Sequence, residues 1–177
     1  VDHLKRGLID CGLMAVPIED SSITSITLFY ERLLAYVSTQ SKLYTKKHLV
    51  GDDLEPTDAW ILQEGHCLRN QLLRLCNLKA EQQRQLAYES GSLETLKRLV
   101  DINGGFTILP ELAVLDLPKK KLDQVRYFRE PAPVREIALV THRSFIKRKL
   151  LELLAQSIRK AVPKELLEEG KKTVVGI

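Results

Sequence analysis

The residues of this 177-residue chain with the most chemistry to offer lie in Gly65-His66-Cys67-Leu68-Arg69-Asn70 and, further on, at Cys76. The thiolate rather than the thiol is the nucleophile, and it is favoured beside cations and at helix N-termini. Cys67 follows His66, stands two residues before Arg69, and opens a helical pattern; all three features favour the charged form. Cys76 sits among Leu73, Leu75 and Leu78 with none of these aids and reads as a buried thiol. One cysteine looks activated and the other enclosed.

Their spacing adds a constraint. A continuous helix from Cys67 to Cys76 would hold them about 13 to 14 Å apart along its axis, on nearly opposite faces at about 100° per residue. A disulfide needs Cα atoms within about 7 Å. The pair can therefore join only if the intervening helix unwinds, so that oxidation would be a conformational switch rather than a staple. The plainer reading is that both are core thiols, as free cysteines often are. Cys11, inside an apolar run, is read as core. Metal binding is not expected, because the cysteine spacing is not that of a zinc knuckle and His3, His48 and His142 are scattered. A Cys–His catalytic dyad stays open, although adjacent residues rarely aim at each other.

The elements that must position these residues follow from composition and pattern. With 44% apolar residues, 28% charged and a net charge of +4, the chain can build a real core and is not disordered. No apolar run approaches the roughly 18 to 20 residues of a membrane helix, and the first residues are charged rather than signal-like. The mild basic excess falls short of a nucleic-acid-gripping surface. Three cysteines argue against a secreted disulfide framework, so a reducing cytoplasm is the expected compartment.

Apolar runs alternate between strand-like and helical stretches, the signature of an α/β fold. A last helical turn over Val1–Arg6 feeds a strand over Leu8–Val16. Ile26–Phe29 and Leu33–Val37 read as two strands, and Trp60–Leu62 as a third that runs straight into the cysteine motif. Leu68–Leu78 reads as helix, with Leu68, Leu72 and Leu75 on one stripe. Leu86–Tyr88 reads as a strand, Ser92 as an N-cap, Leu93–Ile102 as a helix stopped by Gly104-Gly105, and Phe106–Leu109 as a strand. This predicts a compact βαβ unit over residues 86–109, with a right-handed crossover and parallel strands. Val125–Phe128 and Ile137–Val140 are further strands. Ser144–Val162 reads as one amphipathic helix, apolar at Leu150, Leu154 and Ile158, its basic residues Arg143, Lys147, Arg148 and Lys149 solvated and Glu152 balancing some of them.

Two places look like crossings between lobes, near Tyr30 and near Pro131–Pro133. They predict a central lobe over residues 31–133 inserted into an outer lobe made of 1–30 and 134–177, the latter incomplete at its start. A cleft between two such lobes is a usual place for a small ligand.

The stretch Glu64–Cys76 (EGHCLRNQLLRLC), with Ser92–Leu96 (SLETL) and Gly104–Pro110 (GGFTILP), resembles the peroxide-sensing OxyR group of LysR-type transcription regulators. The last two elements, with the start Leu4–Asp10, resemble LysR-type effector domains in general. The resemblance covers nearly the whole chain and implies a two-lobed fold like that of periplasmic binding proteins, with two crossing strands. It implies that Cys67 reacts with hydrogen peroxide to give a sulfenic acid, that Cys76 resolves it as a disulfide, and that His66 and Arg69 stabilise the thiolate and polarise the peroxide. A cellular thiol reductant would reset the switch. A homodimer through this domain is implied, a tetramer for the full-length protein, and DNA binding only through an N-terminal domain that this chain lacks. Asn70 stands where well-known members carry an acid. Sensing of this kind is stoichiometric, so no enzyme and no cofactor is expected; the absence of a thioredoxin-type CxxC also argues against a peroxidase. The alternative is a LysR-type domain that binds a small organic anion in the interlobe cleft, with Ser92 at a helix N-terminus as a candidate anion site and the cysteines incidental.

Overall fold

The computed structural model describes residues 1–64, 66–76, 89–167 and 172–175. Along them run α1 (Asp2–Lys5), β1 (Gly12–Val16), β2 (Ile23–Val37), β3 (His48–Leu49), β4 (Ile61–Leu62), α2 (Cys67–Leu75), β5 (Glu89–Ser90), α3 (Leu93–Asn103), β6 (Phe106–Pro110), α4 (Leu112–Leu115), α5 (Lys119–Leu122), β7 (Val125–Phe128), β8 (Ala132–His142), α6 (Arg148–Ala161) and β9 (Lys172–Val174). The fold is mixed α/β. Two compact units emerge, 1–31 with 135–167 and 32–134 with 172–175. Both boundaries fall inside long strands, β2 and β8.

The larger unit is built outward from the second half of β2. Leu33, Ala35 and Val37 join one buried cluster, while Leu34 and Tyr36 join another. Successive side chains of a strand point to opposite faces, so a strand covered on both faces reads as an unbroken apolar run. Leu33–Val37 pairs antiparallel with β6, and Ala35–Tyr36 pairs antiparallel with β7. β7 in turn pairs parallel with β3. The first cluster takes Leu68 and Leu72 from α2 and Leu96 from α3; the second takes Val100 from α3 and Val114 from α4. Tyr36 donates to Asp101 at 2.8 Å, and Gln124 donates to both Asp101 and the Val37 carbonyl, at 3.0 and 3.1 Å. That network ties the end of α3 to β2.

In the smaller unit β1 pairs antiparallel with β8, from Gly12 opposite Val140 to Val16 opposite Glu136. Leu4, Val16, Ala138 and Val140 pack together beneath it. Glu31 is fully buried and accepts from the Arg135 guanidinium at 2.8 and 2.7 Å, the pairing a buried carboxylate requires.

Several elements differ from their sequence reading, each for a local reason. β1 begins at Gly12, not Leu8, because Gly7 (φ +66°) turns the chain and leaves Leu8 and Ile9 exposed; Cys11 lies half-buried just before the strand. The two strands expected over 26–37 are one, since the charged Glu31 and Arg32 are held by Arg135 and Glu111 rather than by solvent in a loop. β8 likewise runs through Pro133. β5 and β6 are not neighbours. β5 pairs parallel with β4, and Ala59, just before β4, bridges parallel to Phe106, so the β4 segment lies between them. The residues expected as a strand over Leu86–Tyr88, and the last helical residues Asn77 and Leu78, lie outside the described residues.

α6 starts at Arg148 rather than Ser144, and the face it buries is Leu151 and Ala155. Leu150 and Leu154, two of the apolar positions in the sequence pattern, are exposed. Lys149 pairs with Glu152 at 3.7 Å on the solvated side. Residues 172–175, assigned from sequence to the outer lobe with the rest of the tail, cluster with the central unit, because β9 pairs parallel with Ala132–Val134.

Candidate redox site

β4 and β5 run parallel, with Ile61 opposite Glu89 and Leu62 opposite Ser90. Each leads within a few residues into a helix, β4 into α2 and β5 into α3. The N-termini of both helices therefore emerge at the same end of this strand pair. Helix N-termini carry unpaired N–H groups and the positive end of the dipole. Cys67 is the first residue of α2, and Ser92 is the N-cap of α3. The strand register thus brings two of the residues singled out from sequence to one edge of the unit.

His66 is the N-cap of α2, in extended conformation, and it is half-buried like Cys67. Leu68 and Leu72 anchor the helix in the core, one turn apart. Arg69 is buried on the same helix, and its Nη1 donates to the Leu62 carbonyl at 3.1 Å. That bond ties the first turn of α2 back to the end of β4. Ser92 is exposed, and its side chain does not cap α3.

Cys76 stands at the other end, as the C-cap of α2. It is 9% exposed within the cluster of Leu68 and Leu72, and burial pushes its thiol up to about 12. All three cysteines are free thiols. With α2 intact between them, Cys67 and Cys76 lie about 13 Å apart along the helix axis, so the helix separates an accessible sulfur from an enclosed one.

One residue of this site escaped sequence reasoning. Gln71, one turn after Cys67, is fully buried; its Nε2 donates to the Val175 carbonyl at 3.1 Å, while its Oε1 has no hydrogen-bond partner among the described residues. A glutamine at a core position of the leucine stripe is the signal that marks it. Among the described residues, no group of three or more His, Cys, Asp and Glu side chains could hold a metal ion.

A family model for the LysR substrate binding domain matches residues 1–163. The chain belongs to that family. LysR domains are parts of transcription regulators, not enzymes. A hydrogen peroxide-inducible genes activator of Haemophilus influenzae is 34% identical over 142 residues, which is 79% of this chain and 46% of that protein. The DNA-binding transcriptional dual regulator OxyR of Escherichia coli is 32% identical over 159 residues, 89% of this chain and 51% of that protein. The LysR domain here thus spans about half the length of these curated relatives. Among solved structures, OxyR from Porphyromonas gingivalis superimposes with a TM-score of 0.86 at 35% identity, covering 98% of this chain and 80% of that one. No helix among the described residues is long and apolar enough to cross a membrane.

Proposed function

We propose that this LysR domain is the sensing domain of a hydrogen-peroxide-responsive transcription regulator acting in the cytoplasm. The observation that carries the reading is one helix, α2, with a half-buried cysteine at its N-terminus and an enclosed one at its C-terminus. Relatives described as hydrogen peroxide-inducible genes activators support it.

The Cys67 thiolate attacks one peroxide oxygen, the O–O bond breaks, and a sulfenic acid forms with release of hydroxide, which takes up a proton to become water. The Cys76 thiol then displaces the sulfenic hydroxyl as a second water, leaving a disulfide. Two thiols have supplied two electrons to one peroxide. His66 and Arg69 contribute positive character at the helix N-terminus, where the thiolate and the departing hydroxide need it. The second step cannot proceed with α2 intact, and the enforced unwinding converts chemistry into a change of shape. A cellular thiol reductant reverses it by exchange.

The shape change reaches DNA through a domain outside this chain. The domain pairs as a homodimer, and the full-length regulator as a tetramer. Support for pairing comes from the exposed apolar stripe on and before α6, with Ile146 at 87%, Leu150 at 59% and Leu153 at 49% exposure. Contiguous exposed apolar residues of this kind mark association surfaces.

The test is a thiol count with non-reducing peptide mapping before and after one equivalent of hydrogen peroxide. Loss of two thiols and a linked Cys67–Cys76 peptide is the expected result. Cys76→Ser is expected to stop at Cys67 sulfenic acid or its over-oxidised forms, and Cys67→Ser to stay reduced. Three unchanged thiols in the wild-type protein would refute the reading and favour an organic-anion effector instead.

A further inference from the structure

The short strand β9 is held by the redox helix. The Val175 carbonyl accepts from Gln71 Nε2 at 3.1 Å. The Val175 side chain packs against the cluster that contains Leu68, Leu72 and Cys76. On its other side the Val175 N–H donates to the Val134 carbonyl at 2.7 Å, and Lys172–Val174 pairs parallel with Ala132–Val134. Val175, the residue after β9, is therefore attached both to α2 and its cluster and to β8, while the strand itself pairs with β8.

We propose that Gln71 is a positioning residue that couples the cysteine pair to β9, and that oxidation undocks this strand. The inference rests on the reading of Cys67 and Cys76 as a peroxide-oxidised pair. Gln71 lies within the helical interval that must unwind before the sulfurs can meet, because nine residues of helix hold them about 13 Å apart. Cys76 must also leave its cluster to reach Cys67. One event, the loss of two electrons and two protons from the thiols to peroxide with release of two waters, thus removes the hydrogen bond to the Val175 carbonyl and opens the packing beneath its side chain.

The Oε1 of Gln71, without a partner among the described residues, points the same way. A fully buried amide oxygen without a donor disfavours the closed arrangement, so the docked state is poised rather than locked. Undocking frees the Ala132–Val134 edge of β8, at the place where the chain passes from one unit to the other. The strand's occupancy is thereby a readout of the redox state at the point of chain crossing.

Amide hydrogen exchange read by mass spectrometry, on the full chain with and without one equivalent of hydrogen peroxide, tests this alongside non-reducing peptide mapping of the same samples. In the reduced protein the amides of 172–175 are expected to be protected. Where the Cys67–Cys76 peptide is present, protection is expected to fall at least about tenfold and to return on reduction. A mapped disulfide with unchanged protection overturns the coupling and leaves the peroxide reading standing; no disulfide overturns both.

The reciprocal test replaces Val175 by Asp, which removes the strand's apolar packing against the cluster of Leu68, Leu72 and Cys76 while leaving every residue of α2 and both cysteines unchanged. Coupling is mutual, so the thiol–disulfide equilibrium is expected to move about tenfold toward the disulfide, about 30 mV for a two-electron couple. An equilibrium identical to wild type overturns the proposal. A merely structural role for β9 would lower stability and leave that equilibrium in place.

Discussion

Burial of Cys76 sets a rate that can be measured without peroxide. Its thiol is raised from an ordinary 9.0 to about 12, with burial as the cause. Near pH 8 that lowers its thiolate fraction about a thousandfold. A more basic thiolate is also a better nucleophile, with a Brønsted slope of about 0.4 to 0.5, which recovers a factor of roughly 15 to 30. The net expectation is alkylation about 30 to 60 times slower than for the same thiol in unfolded chain, before any steric exclusion is added. The assay is site-resolved labelling with iodoacetamide at pH 8 in the Cys67→Ser variant, with and without denaturant, read by mass spectrometry. Cys76 labelling in the folded protein within about threefold of the denatured rate would refute the argument. The same arithmetic bears on the switch. Under the proposed mechanism a thiol so raised is a poor resolver while enclosed, so disulfide formation would wait on opening of the helix end, and anything that loosens α2 would accelerate resolution.

Other expectations concern the scaffold. Leu150→Glu places a charge in the exposed α6 stripe and is expected to weaken self-association at least about tenfold, or about 1.4 kcal/mol, in sedimentation at tens of micromolar, without altering the circular dichroism of the fold. Gly105→Ala forces a side chain into left-handed backbone (φ +77°) with its Cβ 2.2 Å from the Asp58 carbonyl oxygen; a loss of about 2 kcal/mol or more is expected in urea unfolding. Burial alone would raise the Asp101 carboxyl, but hydrogen bonds from Lys121, Gln124 and Tyr36 outweigh it and hold the group below the usual carboxylate range. A depressed folded value means that this stability is present above the unfolded value of about 3.9 and is lost as pH falls through the folded one. Asp101→Asn is therefore expected to flatten the acid limb of the stability profile below about pH 4, and an unchanged limb would remove Asp101 from its causes.

Much of the fold is legible in local pattern, and the parts that are not share a cause. The strand at 125–128, the helix after Ser92 and the left-handed stop at Gly104 and Gly105 are set by residues close in sequence, and they stand where pattern places them. The long strands are different. Glu31 and Arg32 read as a loop because two adjacent charges are costly in a buried strand. Their partners, Arg135 and Glu111, lie 104 and 79 positions away respectively, and no local window contains them. Pro133 reads as a break, yet it sits within β8. Helix α6 teaches a further point. Its periodicity correctly groups Leu150 with Leu154, but periodicity states which residues share a face, not whether that face meets the core or another molecule. The two residues that do turn inward, Leu151 and Ala155, form the narrower stripe beside it.

The redox segment shows the same division between local and distant information. The spacing of Cys67 and Cys76 is enough to derive that a helix between them must break, because that conclusion needs only helix rise and disulfide reach. What the breaking helix releases is a tertiary fact. Gln71 meets Val175 across 104 positions, and the tail that brings Val175 there carries no pattern stronger than a short β-branched run. The buried glutamine is nonetheless a clue that chemistry alone can read. A polar side chain among Leu68, Leu72 and Leu73 must find a partner or cost stability, and it lies midway between two cysteines that can bond only if it moves. A residue under both constraints belongs to the proposed switch as much as the sulfurs would.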